Sequence, residues 1–145
     1  MKLVHPGRLL IIQLRRIGDV LLSTPVIKAV KANFGDAYLT FLTEFESKSL
    51  LENNPHVDEL IIWDSGRYSN PTYIYDILKG LREKKFDTVI DLQGSTRTAL
   101  ASNLSGAQQR LGFDYRGRSL FYNIQVPVDD SPKYGAAFKL DILRP

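Results

Sequence analysis

Asp19 stands where an apolar run gives way to a short basic turn. Leu9-Leu10-Ile11-Ile12-Gln13-Leu14 is followed by Arg15-Arg16-Ile17-Gly18, and Asp19-Val20-Leu21-Leu22 opens the next apolar stretch. A carboxylate at such a corner has two uses. It can sit at a helix N-terminus as a cap or first-turn charge, stabilised by free backbone N–H groups and the helix dipole. It can also be a general base that takes a proton from an attacking hydroxyl, an effect of roughly 10²–10⁴ in rate. The residues alone leave both readings open. They do argue against a phosphate cradle: the turn has neither G-x-G-x-x-G nor G-x-x-x-x-G-K-[ST], and a carboxylate there repels phosphate.

A second group is Asp91-Leu92-Gln93-Gly94-Ser95-Thr96-Arg97. Gly94 lets a ligand approach the backbone. Ser95 or Thr96 can cap a helix and leave N–H groups facing an anion. Gln93 can exchange hydrogen bonds with sugar hydroxyls, and Arg97 can pair with a carboxylate or phosphate. The bland counterpart is a capped strand-to-helix turn with a surface arginine. A third group is Arg110, Arg116 and Arg118, around Gly112-Phe113-Asp114-Tyr115. With Arg15 and Arg16 these form either a solvated surface or, if the turns share one sheet edge, a basic rim around one carboxylate. Such a rim suits an anionic, hydroxyl-bearing acceptor.

Those turns need elements to position them. Strands are expected over 9–14, 38–43, 59–63, 87–92 and 110–113, with 120–126 either strand or irregular; the first is almost continuously apolar, as a buried parallel strand is. Helical spacing covers 20–34, 47–53, 73–85, 95–104 and 134–143, with a polar loop over 64–71. Pro25 complicates the first helix. Either Thr24 caps a helix whose first residue is Pro25, or the helix begins near Asp19 and kinks. Gly35 is the expected stop. Strands alternating with helices predict an α/β fold: a Rossmann-like parallel sheet with helices on both faces.

Bulk properties narrow the function. The 145 residues fit a single domain, 1–145, able to bury a real core. There are no cysteines, so disulfides and thiolate metal sites are excluded, and His5 and His56 lie in separate segments without ligand spacing. No metal or other cofactor is expected. The net charge of +3 favours anionic partners but is too small to argue for nucleic acid. The sequence contains no apolar run of transmembrane length and no signal-peptide pattern, so a cytoplasmic location is the expectation.

Several ordered segments resemble one family. They are Leu10-Ile11-Ile12 with Arg16-Ile17-Gly18-Asp19-Val20-Leu21-Leu22-Ser23-Thr24-Pro25; Asn54-Pro55-His56-Val57-Asp58-Glu59; and Phe86-Asp87-Thr88-Val89-Ile90-Asp91-Leu92-Gln93-Gly94. Leu104-Ser105-Gly106-Ala107, Arg110-Leu111-Gly112-Phe113 and Leu120-Phe121-Tyr122-Asn123 continue the pattern. Together they resemble the N-terminal half of bacterial lipopolysaccharide heptosyltransferases, glycosyltransferase family nine. The resemblance implies a GT-B architecture of two Rossmann-like domains. It implies a metal-independent, inverting transfer of heptose from ADP-heptose to the lipopolysaccharide inner core, at the cytoplasmic membrane face. Asp19 then matches the catalytic base, while Arg16, Gly18, Gln93, Gly94, Ser95, Arg97, Arg116 and Arg118 fall on the acceptor side. The nucleotide-sugar domain is absent from these residues, so the chain alone is expected to be inactive, and its open cleft face to allow self-association. The alternatives are a stand-alone α/β domain that binds a nucleotide or phosphorylated ligand without catalysis, and a receiver-like domain. The receiver reading lacks an acidic pair beside the first strand.

Overall fold

Leu9-Leu10-Ile11-Ile12, none of which reaches solvent, forms the axis of the sheet. In a computed structural model that describes residues 3–115, 117–128, 131 and 134–144, β1 (Arg8–Ile12) runs parallel to β2 (Tyr38–Glu44) on one side and β4 (Thr88–Asp91) on the other. With β3 (Glu59–Trp63), β5 (Gln109–Phe113) and β6 (Ile124–Val126), the described residues give one parallel sheet of order β3-β2-β1-β4-β5-β6. The order reverses between β1 and β4, and a crevice opens there at the carboxyl ends of the strands.

Alternation along β1 divides the core. Leu9 and Ile11 pack with Val26, Ile27 and Val30 of α2 (Thr24–Asn33) and Leu51 of α3 (Lys48–Leu51). Leu10 and Ile12 pack with Leu81 of α4 (Pro71–Glu83) and Ala101 of α5 (Thr96–Leu104). A sheet buried on both faces is what the continuous apolar runs require. No helix among the described residues is long and apolar enough to cross a membrane.

The segment after β1 departs from a single helix over 20–34. α1 (Ile17–Leu21) stops, Leu22 and Ser23 turn, and α2 begins at Thr24. Pro25 has no N–H to give the Leu21 carbonyl and so breaks the ladder. Thr24 Oγ1 donates to that carbonyl instead, at 2.8 Å, and Ser23 Oγ donates to the Asp19 carbonyl at 2.7 Å. Thr24 is thus the first helical residue and Ser23 occupies the cap position. Gly35 is not in the left-handed region; α2 ends through Phe34, whose N–H bonds the Val30 carbonyl. α4 starts two residues before the expected 73 because the Asn70 side chain accepts from Tyr73 N–H and Pro71 suits the first turn. The segment 120–126 resolves into a 3-10 turn (Ser119–Phe121) and the edge strand β6. The chain then folds back as α6 (Gly135–Leu140), where Phe138 stacks on Phe113 at 4.7 Å.

Gly112 on β5 makes room for Tyr122: a Cβ at Gly112 would overlap the Tyr122 ring, which is fixed by a hydrogen bond from its hydroxyl to Asp91 Oδ2 at 2.6 Å. Gly112→Ala is therefore expected to lose about 1–3 kcal/mol of stability, read as a lower urea midpoint without a change in slope.

Candidate functional site

Two loops leave the sheet on either side of the reversal, and one side chain ties them together. The β1–α1 loop runs from Gln13 to Arg16, and the β4–α5 loop from Leu92 to Ser95. Gln93 Oε1 accepts the backbone N–H groups of both Leu14 and Arg15, each at 2.9 Å. Its Nε2 donates to Ser95 Oγ at 3.1 Å. Beneath it, Asp91 Oδ1 accepts the N–H groups of Gln93 and Gly94, both at 3.0 Å. Asp91 is wholly buried. That burial pushes its carboxyl above the ordinary carboxylate range, and the Tyr122 hydroxyl and backbone donors pull it partly back.

The first loop turns at Arg16, with φ 63° and ψ 117°. Gly18, expected to carry the turn, lies inside α1 without a positive φ, and a Cβ there would meet nothing within 4 Å. A non-glycine residue held in this part of backbone space stores strain of order 1–3 kcal/mol, and such strain concentrates at functional sites. Asp19 follows in the first turn of α1, half-buried. The cap position is Arg16, which makes no side-chain cap bond, and no hydrogen bond to the Asp19 carboxylate is present among the described residues. In the second loop Gly94 is required twice over. Its φ is +66°, and a Cβ would lie 2.6 Å from the Tyr115 ring.

These elements enclose a cleft of about 410 Å³. Asp19, Arg16 and Gln93 line it, together with Arg15, Tyr115 and Lys139. Gly94 lies against the Tyr115 ring and, like Gly18, is not among the lining residues. Ser95 has a structural role: it caps α5, accepting Thr98 N–H at 3.2 Å in a reciprocal capping box, and it is also the partner of Gln93. The hydroxyl expected to leave N–H groups open to an anion therefore fills that position itself. Gln93 lines the cleft, but three of its hydrogen-bonding positions are already used within the protein.

Arg97 is not among the residues lining the cleft. Its guanidinium stacks on Tyr68 at 3.7 Å from the ring centroid, and the Tyr68 hydroxyl donates to Glu44. Burial, then the Glu44 carboxylate, push that hydroxyl's pKa upward. Arg118 also lies off the cleft lining; its backbone N–H donates to the Tyr115 carbonyl at 3.1 Å. Arg110 turns toward the chain, donating to the carbonyls of Phe121 and Ala107. Arg116 lies outside the described residues.

Lys139, Gln13 and Tyr115 are cleft residues that the sequence reading did not single out. α6 brings Lys139 in, with 6% of its surface exposed, and Nζ donates to Gln13 Oε1 at 2.6 Å. Burial lowers the ammonium's proton affinity; Asp19 and Asp91 raise it. One signal was available: Lys139 stands four residues after Gly135 and three before Ile142, the spacing of a shared helix face. Gly135 permits the approach, since a Cβ there would lie 2.8 Å from Leu22 Cδ1.

Residues 74–134 match the family model of glycosyltransferase family 9 (heptosyltransferase). A lipopolysaccharide heptosyltransferase 3 of Escherichia coli is 29% identical over 104 residues, 70% of this chain and 31% of that protein. A lipopolysaccharide heptosyltransferase 1 of Campylobacter coli is 25% identical over 133 residues, 84% of this chain and 36% of that protein. The chain thus spans about a third of the length of these curated relatives. Among solved structures, a glycosyl transferase family 9 protein from Veillonella parvula superposes with TM-score 0.85 at 24% identity, over 95% of this chain and 40% of that one. An E. coli heptosyltransferase solved with ADP-2-deoxy-2-fluoro heptose gives TM-score 0.82 at 19% identity, over 94% and 47%. At these identities the structural likeness establishes the fold.

Two outcomes follow from the clasp between the loops. Gln93→Ala leaves the Leu14 and Arg15 N–H groups without an acceptor, a cost of about 1–3 kcal/mol, and is expected to speed hydrogen exchange at those two amides selectively. Tyr122→Phe removes a donor from buried Asp91 and drives its carboxyl further up. A group whose folded-state pKa is raised loses stability as pH climbs through the unfolded value toward the folded one. The deficit against the parent is accordingly expected to widen toward higher pH, once pH passes the folded-state pKa of Asp91 in the parent, as urea midpoints followed along a pH series will show.

Proposed function

We propose, on the premise that this chain belongs to glycosyltransferase family 9, that it is the acceptor-side half of an enzyme that transfers a heptose from ADP-heptose to the lipopolysaccharide inner core. The donor then lies in a second domain outside residues 1–145, in keeping with a chain that spans about a third of its curated relatives. The observation that carries the reading is the Asp19 carboxylate, facing the cleft without a capping bond and flanked by Arg15, Arg16 and Lys139.

The chemistry is one displacement. The acceptor hydroxyl oxygen attacks the anomeric carbon of the donor sugar, and its proton passes to Asp19. The bond from that carbon to the diphosphate oxygen breaks, and ADP leaves with the electron pair. Attack from the face opposite the leaving group inverts the anomeric centre. Asp19 contributes by holding the hydroxyl and accepting its proton in the transition state. The basic rim contributes by concentrating an anionic acceptor. The enzyme works in the cytoplasm, at the membrane face where a lipid-linked acceptor is reached.

A nucleotide-binding role for this half fits the crevice less well. Where a first loop binds a dinucleotide, its backbone N–H groups face the pyrophosphate. Here Gln93 already holds the Leu14 and Arg15 N–H groups.

In the full-length protein Asp19→Asn is expected to lower turnover by about 10²–10⁴ with no change in melting temperature, and residues 1–145 alone are expected to bind ADP-sugar negligibly. Near-normal turnover of Asp19→Asn, measured by release of ADP, would return Asp19 to a purely structural role.

A further inference from the structure

Lys139 is the charge that the transfer step leaves unassigned. An ammonium has three N–H donors. In Lys139 the described partner is Gln13 Oε1, a neutral amide, and among the described residues no carboxylate forms an ion pair with it. Gln13 is itself buried, and its Nε2 donates to the Arg15 carbonyl at 3.3 Å, which leaves Oε1 turned toward the lysine. Buried charges are ordinarily paired. This one is oriented by a group that does not neutralise it, on the wall of a cleft that also contains Asp19.

The charge balance of the cleft points the same way. Arg15, Arg16 and Lys139 line it, against the carboxylate of Asp19. Asp19 and Asp91 both act on Lys139 electrostatically, but neither forms an ion pair with it among the described residues, and the oxygens of Asp91 are engaged by Tyr122 and the N–H groups of Gln93 and Gly94. A neutral sugar would leave the ammonium's remaining donors without a charged partner. A sugar bearing a carboxylate or phosphate would supply one.

We infer that Lys139, held by Gln13, is the specificity-determining residue of the acceptor site and receives the carboxylate or phosphate of an acidic acceptor sugar while Asp19 faces its hydroxyl. The inference rests on the acceptor-side reading above and adds to it a requirement: the anionic group and the attacked hydroxyl sit near enough on the acceptor to reach α6 and α1 together. Burial works against the ammonium and a bound anion works for it, so protonation of Lys139 and anion binding reinforce each other.

The test is a titration of the chain labelled with ¹⁵N at lysine side chains, using D-glucuronate, inorganic phosphate and D-glucose as probes. The Lys139 Nζ resonance is expected to shift with one or both anions and not with glucose. Preference for glucuronate identifies a sugar acid, and preference for phosphate a phosphorylated sugar. Lys139→Gln is expected to weaken anion binding by about tenfold, the loss of one charge-assisted hydrogen bond, and Lys139→Arg to restore most of it. A Lys139 resonance unmoved by both anions overturns the inference, and that measurement needs no variant to fold. Unchanged anion affinity in a folded Lys139→Gln variant overturns it too. Turnover of Asp19→Asn in the full-length protein reports separately, so a silent Lys139 beside an Asp19-dependent transfer removes this inference alone.

Discussion

The crevice depends on one carboxamide. Gln93 accepts two consecutive backbone N–H groups from the opposite loop and passes its own N–H to Ser95, fixing the β1–α1 loop, the β4–α5 loop and the start of α5 in one geometry. Two parallel strands place their loops side by side; they do not by themselves fix how the loops face each other. Asp91 holds the backbone of Gln93 from below, and Tyr122 holds Asp91 from the β6 side, in space that Gly112 leaves free. The clasp also has a chemical consequence. Two backbone donors of the first loop, the Leu14 and Arg15 N–H groups, are consumed within the protein.

α6 completes the site from the far end of the chain. Phe138 stacks on Phe113 and Gly135 lies against Leu22, so the helix crosses the carboxyl edge of the sheet beside α1. Packing of this kind stabilises, but it draws an ammonium out of water, at a cost that a single hydrogen bond to Gln13 offsets only in part. A lysine that merely supported the helix would sit better at the surface with its stem packed and its head in solvent. Retaining Lys139 inside the wall, on a neutral partner and beside Asp19, makes sense if the cleft is built to receive negative charge.

Much of the fold was legible from local pattern. The unbroken apolar run at 9–12 announced a strand covered on both faces, and Ser95 announced a helix start that its side chain does make, whereas Asn70-Pro71 read as loop and in fact opens α4. Pro25 announced a break whose form could not be read, because it depends on which carbonyls Ser23 and Thr24 reach. The site was less legible, for a consistent reason. Asp19, Arg16 and Gln93 lie next to the turns that give them away, and all three line the cleft. Their uses did not follow from adjacency: the left-handed turn falls on Arg16 rather than Gly18, and Gln93 serves a loop nearly eighty residues away. Lys139 depends on the return path of α6: its spacing from Gly135 and Ile142 marks a helix face, but the partner that face meets lies 126 positions away. Arg97 has the right type and position for an anion, yet a tyrosine from the loop after β3 takes it by stacking.

What distinguishes a capping carboxylate from a catalytic one is where its oxygens go. A cap accepts N–H groups of its own first turn. In α5 the Ser95 side chain does this, and in α4 Asn70 does. α1 has no such bond. Its cap position is the strained Arg16, and Asp19 stands one turn in with its carboxylate toward the cleft. As a first-turn acid Asp19 also meets the helix dipole favourably, so its position along α1 serves either role. With no capping bond in α1, the carboxylate lines the cleft instead of folding onto the backbone. Ser23 supports the arrangement from behind by bonding the Asp19 carbonyl, which holds the last turn of α1 in place although Pro25 interrupts the helix just after it. The turn that looked like a phosphate corner with the wrong charge is a short helix, ended before Pro25, whose first-turn carboxylate lines a cleft beside Arg15, Arg16 and Lys139.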